Sequence, residues 1–212
     1  MIITYPGLEC IKVQQGDLTV VFNPVSKKSK HKMTSFGADI VCISIWNDDM
    51  NGIETVARGD KDPFVVKGPG EYEANGLFIK GFESQSTYQG KEAINTIYTV
   101  TIDGITIAYL GALSFKELPG DLKEQLSEAN VIVVPIGGDD VLSPSDAHDV
   151  AIKREPNIII PIHHDVVGEP GSLKSFLKEA GQEELKEVDK LTIKKSDLDS
   201  KKGEVVVLKS LI

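Results

Sequence analysis

The length, composition and charge of the chain exclude several classes of protein. Its 212 residues are 41% hydrophobic and 26% charged, with a formal net charge of −9. This is the composition of a globular protein large enough to bury a core. The negative charge opposes binding to nucleic acids and to anionic membranes. No apolar run approaches about 18 residues and no signal-peptide pattern opens the sequence, so we expect a cytoplasmic protein without a transmembrane helix.

The two cysteines favour a reducing compartment. Cys10 and Cys42 both stand in apolar, strand-like sequence. Two cysteines are too few for a disulfide framework, and free cysteine behaves as a small buried hydrophobic residue. We therefore predict that both are reduced and buried.

The first half of the chain contains three hairpin signals. Each is a two-residue turn between strand-like runs: Gly16-Asp17, Asn75-Gly76 and Asp103-Gly104. Such pairs supply the positive φ angles that tight hairpins need. The predicted strands are residues 9–14 with 18–22, 70–74 with 77–82, and 96–102 with 105–110. An apolar strand at 39–45 followed by a helix at about 51–57 adds a strand–loop–helix unit.

The second half alternates helices with buried strands. Ser143 followed by Pro144 is a helix start, with serine as the N-cap and proline in the first helical position. The predicted helices are residues 117–129, 144 to about 154, and 172–180; the predicted strands are 131–134, 158–162, 188–193 and 203–208. Hairpins mixed with βαβ units favour an α/β (α+β) sandwich of two sheets with helices outside. No linker or repeat divides the sequence, so we predict one domain, residues 1–212.

Short stretches along nearly the whole chain resemble one family. They are Tyr-Pro-Gly at 5–7, Val-Val-Phe-Asn-Pro at 20–24, the strand 38–44, Gly-Pro-Gly-Glu-Tyr-Glu at 68–73, and the segments 105–111, 134–138 and 155–163. In this order they resemble the metallo-β-lactamase superfamily, in particular a bacterial branch of Zn-dependent hydrolases. The resemblance implies a four-layer αββα sandwich of the metallo-β-lactamase type.

The same resemblance implies a metal site that this sequence does not retain. The family binds zinc through a His-x-His-x-Asp-His motif, a later His, an Asp and a final His. Here the motif reads Ile-Trp-Asn-Asp-Asp-Met at 45–50. Of its ligands only Asp49 is kept, because Ile45, Asn47 and Met50 stand at the three histidine positions. Ser86 stands at the later His, Ala112 at the Asp, and His163 at the final His.

We therefore expect a dismantled site. The residues Asn47, Asp49, Ser86, Ala112 and His163 would form a vestigial pocket, with no cofactor and with only His163 and Asp49 as weak metal candidates. Side chains such as that of Ala112 offer no lone pair to a cation. The predicted function is non-catalytic binding of an unknown protein partner or small ligand, with a homo-oligomer among the expected assemblies. The alternative is a hydrolase with a single-metal or metal-independent site around His163.

Several residues near this pocket have local interpretations. Asp49 is predicted to cap the helix after its loop, and Trp46, the only tryptophan, to fill the empty cavity. The basic segment 27–32 is interpreted as a solvated loop. Glu71 and Tyr72 are expected to fix a hairpin.

An unrelated metal site is a weaker hypothesis. It would combine residues from neighbouring loops, although their spacing matches no known ligand motif. The residues are Asp139, Asp140, His148, His163, His164 and Asp165.

Overall fold

The computed structural model describes residues 1–57, 59, 62–164 and 166–212. The strands are β1 (Ile2–Gly7), β2 (Cys10–Gln15), β3 (Leu18–Phe22), β4 (Ile40–Ile43), β5 (Phe64–Lys67), β6 (Gly70–Ala74), β7 (Leu77–Ser86), β8 (Ala93–Ile102), β9 (Ile105–Tyr109), β10 (Val131–Pro135), β11 (Ile158–Ile162), β12 (Leu191–Thr192) and β13 (Glu204–Val205). The α-helices are α1 (Gly120–Leu126), α2 (Pro144–Ile152) and α3 (Ser172–Glu179).

The strands form two mixed sheets. One has the order β12-β1-β2-β3-β4-β5, and the other has the order β13-β11-β10-β9-β8-β7-β6. Strands β3, β4 and β5 run parallel, as do β9, β10 and β11. The predicted two-sheet α/β sandwich is confirmed.

The three predicted hairpins form with two-residue turns. The pairs that close them are Gln15 with Leu18, Ala74 with Leu77, and Ile102 with Ile105. In the second and third turns both central residues have positive φ, between 50° and 75°. This is the type I′ geometry, which matches the twist of the flanking strands.

The main core lies between the two sheets, where Phe22 of β3 stacks on Tyr109 of β9 with ring centroids 4.6 Å apart. Leu122, Val150 and Phe176, one from each α-helix, pack on the outer face of the seven-stranded sheet. The outer face of the six-stranded sheet is covered by Met33, Phe36 and Ile53 from loops and a short turn. Both cysteines are buried and free, as predicted.

Four predicted elements differ from the structure. The helix expected at 51–57 is only a 3₁₀ turn at Ile53–Thr55. Gly52, just before it, lies so close to Val25 that an added Cβ would stand 2.2 Å from the Val25 carbonyl oxygen. The backbone at this point is therefore held by tertiary packing. The helix expected at 117–129 is shorter, and the strands expected at 188–193 and 203–208 shrink to β12 and β13.

Helix α2 begins as predicted. The Ser143 side chain accepts a hydrogen bond from the backbone N–H of Asp146 at 3.1 Å, and proline follows in the first turn. Among the described residues, no helix is both long and apolar enough to cross a membrane.

Candidate functional site

The candidate site lies where several strands end at one edge of the sandwich. Strands β4, β7, β9 and β11 point the same way in their sheets and end there. The two sheets are joined at this edge by the backbone N–H of His163, which donates to the carbonyl of Leu8 at 3.1 Å. Loops at the carboxyl ends of strands are where open α/β sheets carry their ligands. The five predicted pocket residues all lie on these loops or at the strand ends.

An apolar cluster occupies the centre of this edge. Ile45, Met50, Tyr88, Ala112 and Val141 are buried and pack together, with Ala93 at the margin. Met50 and Ala112 are completely buried. The cluster brings together three positions that the resemblance assigned to metal ligands, those of Ile45, Met50 and Ala112. Each now contributes an aliphatic or thioether side chain to a hydrophobic contact.

The Asp49 carboxylate is held by three neighbours. The hydroxyl of Ser29 donates to Oδ1, and the hydroxyl of Tyr88 and the amide of Gln89 donate to Oδ2 at 3.0 and 2.9 Å. Asn47 supports the same loop because its Oδ1 accepts from the backbone N–H of Asp49 at 2.9 Å. These donors replace water around a carboxylate that is only 4% exposed.

His163 forms a buried pair with Glu9. Its Nδ1 lies 2.5 Å from Oε1 of Glu9, and the two side chains are 3% and 0% exposed. Burial raises the pKa of the Glu9 carboxyl, whereas the charge of His163 and its hydrogen bond act to lower that pKa. The Tyr109 hydroxyl donates to the Glu9 carbonyl at 2.6 Å, so the turn between β1 and β2 that carries Glu9 is tied to the opposite sheet. The histidine is therefore a well-supported internal residue.

Tyr88 lies between His163 and Asp49. Its ring meets the His163 ring edge-on, with centroids 5.7 Å apart, while its hydroxyl bonds to Asp49. Burial, together with the nearby carboxylates of Asp49 and Glu9, raises the pKa of Tyr88 well above its ordinary value, so the hydroxyl stays protonated as a donor. Ser86 orients this tyrosine by accepting its backbone N–H at 3.1 Å. All five predicted pocket residues thus lie around Tyr88. Asn47 reaches it through Asp49, and the other four contact it directly.

The donor set does not fit the zinc that the family resemblance implies. Zinc in proteins needs three or four nitrogen, sulfur or oxygen ligands converging on one point. Asp49 and His163 are separated by Tyr88, and both already have hydrogen-bond partners. Within the described ranges, no group of three or more His, Cys, Asp or Glu side chains could hold a metal ion.

The weaker hypothesis of an unrelated metal site gains no support from the described residues. Asp140 accepts a hydrogen bond from the backbone of Gln89 at 2.9 Å, and His148 packs edge-on against Phe176. Asp165, which that hypothesis also used, lies outside the described residues.

Two local interpretations were wrong. Asp49 does not cap a helix, because the following 3₁₀ turn has Gly52 at its N-cap and no side-chain cap. Trp46 does not fill the cavity: it is 63% exposed, and Met50 and Tyr88 occupy the interior instead. The basic segment 27–32 is mostly exposed, as predicted, except that Ser29 is buried against Asp49.

Three further residues of the site, Glu9, Tyr88 and Gln89, were not predicted from the sequence. Glu9 could have been suspected, because it is a carboxylate between the apolar residues Leu8 and Cys10 at the start of a predicted strand. Tyr88 and Gln89 gave no comparable signal. They lie in a short 3₁₀ turn after β7, and Gln89 has a positive φ of 55° that nothing in its residue type predicts.

Comparison with known families gives one match. The model of the beta-lactamase superfamily domain matches residues 2–163, which is most of the chain. Among proteins with curated functions, none matches this sequence.

Comparison with solved structures gives many matches to the same architecture. A candidate Zn-dependent hydrolase of the metallo-beta-lactamase superfamily from Thermotoga maritima is 25% identical, with a TM-score of 0.75 over 98% of this chain and 97% of its own. Igni18, a metallo hydrolase from Ignicoccus hospitalis, is 18% identical, with a TM-score of 0.61 over 91% and 99%. The metallo-beta-lactamase fold protein YhfI from Bacillus subtilis is 11% identical, with a TM-score of 0.63 over 99% and 96%. The last two show similarity of fold alone.

Proposed function

We propose that this chain, which belongs to the metallo-β-lactamase superfamily, is a non-catalytic binding protein rather than a metal-dependent hydrolase. It would use the family's scaffold to hold a small ligand or a protein partner at the edge where the family resemblance places a metal site. The observation that carries this proposal is the apolar cluster of Ile45, Met50 and Ala112, because it occupies three expected ligand positions.

The energetics of the cluster support the proposal. A hydrolytic zinc site needs an open coordination position reached by water. Met50 and Ala112 are completely buried, and Tyr88 covers them with only 6% of its surface exposed. Placing a divalent cation against such side chains would remove its hydration without replacing it, which is strongly unfavourable.

The alternative is a hydrolase that uses His163, with one weakly held metal or with none. One observation favours it: Glu9 orients the imidazole of His163, as a carboxylate does in many acid–base sites. The burial of the pair opposes it, because a substrate proton would have to reach a side chain that is 3% exposed.

A hydrolysis panel separates the two functions. Purified protein would be assayed on ester, phosphodiester and β-lactam substrates, with and without added zinc or manganese. The binding proposal predicts that the wild-type protein and His163→Ala have the same background rates under every condition. Turnover that is above background in the wild type and absent in correctly folded His163→Ala would establish the hydrolase instead.

A further inference from the structure

A basic cavity borders the candidate site on its outer side. This lysine pocket has a volume of about 530 Å³, and Lys28, Lys30 and Lys91 line it together with Trp46. The three lysines are exposed, and within the described part of the chain none of them forms an ion pair. Such a concentration of unpaired cations stands out in a chain whose net charge is −9.

The acidic residues of the lysine pocket do not cancel this charge. Asp49 is only 4% exposed, and its two oxygens already accept hydrogen bonds from Ser29, Tyr88 and Gln89. Asp48 is the one other carboxylate among the described residues that line the cavity, and it is exposed at the surface. Three lysines therefore line the cavity with two carboxylates, one solvated and one whose oxygens are already hydrogen-bonded, which leaves a net positive charge. A small anion is the ligand that this balance favours.

A second, apolar cavity adjoins the first. This apolar pocket has a volume of about 450 Å³, and Ile43, Pro69 and Ile94 line it together with Trp46 and Lys67. Ile94 is 58% exposed, and Trp46 is 63% exposed. Large apolar side chains exposed side by side at the mouth of a cavity are typical of a binding site.

Trp46 belongs to both pockets and so joins them. The Nζ of Lys67 lies 5.3 Å from the centre of its ring, within the range of a cation–π contact. That contact helps to fix an indole that little else covers. A ligand that spans Trp46 would place its charge among the lysines and its apolar part against Pro69 and Ile94.

We propose that the two pockets together bind one small amphipathic anion, a carboxylate or phosphate carried on an aromatic or branched apolar group. The inference rests on the proposed binding function and specifies its ligand class. Neither pocket alone explains the arrangement, because a simple phosphate would not need the exposed apolar wall and an uncharged hydrocarbon would not need the lysines. A polyanion such as RNA is disfavoured by the net charge of the whole chain.

Trp46 supplies the assay, because it is the only tryptophan in the chain. Its fluorescence would be titrated with phenyl phosphate, with inorganic phosphate, and with benzylammonium as a probe of similar size and opposite charge. The proposal predicts saturable binding of phenyl phosphate at least about tenfold tighter than that of inorganic phosphate, and no saturation by benzylammonium. Absence of saturation by phenyl phosphate up to about 10 mM, or equal binding of benzylammonium, would overturn it.

Charge-neutralising variants locate the binding. The double variant Lys30→Gln with Lys91→Gln should weaken phenyl phosphate binding about tenfold or more, whereas Lys174→Gln, exposed on α3, should leave it unchanged. Equal effects of the two changes would place the ligand elsewhere and refute the proposal.

The failure of this inference can be distinguished from that of the proposed function. If the protein holds no metal and fails to bind phenyl phosphate, only the proposed ligand class is contradicted. Protein that binds it and also hydrolyses it in a His163-dependent manner contradicts only the non-catalytic function.

Discussion

Truncation of Met50 tests directly whether the expected metal positions have become part of the core. Met50 is completely buried and packs in the cluster with Ile45, Tyr88 and Ala112. Substitution of a buried methionine by alanine costs about 2–5 kcal/mol, depending on how far the neighbours can close the cavity. Tyr88 is fixed by its bond to Asp49, so little closure is expected. We expect Met50→Ala to lose about 3–5 kcal/mol of unfolding free energy.

Unfolding in urea would be monitored by circular dichroism. Equal denaturant slopes for the two proteins would show that the same transition is compared. For a domain of this size the expected loss corresponds to a fall in Tm of roughly 6–20 °C. Trp46→Ala is the matched control, since it removes a larger side chain that is 63% exposed, and it should change stability by no more than about 0.5 kcal/mol. The reasoning fails if Met50→Ala costs less than about 1 kcal/mol, or if the control costs as much.

The remaining predictions concern the elements around the site. Glu9→Ala should lower the free energy of unfolding, measured by heat or urea, by about 3–5 kcal/mol, because it leaves His163 buried without its carboxylate. Glu9→Gln should lower it less, and equal losses in the two variants would argue against the pair. Ser143→Ala should lower the free energy of unfolding by about 1 kcal/mol, because α2 loses its N-cap. An unchanged urea midpoint would disprove this. Lys116 lowers the pKa of Asp146, so Asp146→Asn should destabilise the protein above pH 3.8. This difference in stability should disappear as the pH falls through the lowered pKa. A stability difference from wild type that persists at the acidic end of a pH series would contradict that assignment.

Much of the fold follows from short-range sequence signals. Asn75-Gly76 and Asp103-Gly104 produce two-residue turns because their conformations are decided locally, by the ease with which these residues adopt positive φ. The cap of α2 by Ser143 is equally local. The metal positions could be identified only through the family resemblance, since nothing in a stretch such as 45–50 by itself marks a former ligand motif.

The rest of the site depends on tertiary packing that the sequence does not display. Asp49 was expected to cap a helix because aspartate often does so, but Ser29 and Tyr88, far from it along the chain, provide its hydrogen bonds. Trp46 was expected to fill the empty cavity, yet Met50 from the same loop occupies that space. Which of two apolar residues in one loop turns inward depends on partners such as Tyr88, and those partners come from distant parts of the chain.

Bound metal per chain is the most direct test of the central claim. The protein would be purified without a histidine tag, incubated with excess zinc and manganese, desalted, and analysed for metal, with His163→Ala as a control for surface binding. Because only Asp49 and His163 remain among the expected ligands and Tyr88 stands between them, we predict less than about 0.1 equivalent, equal in both proteins. About one equivalent or more in the wild type, lost in His163→Ala, would contradict the claim and show that the site still holds a metal.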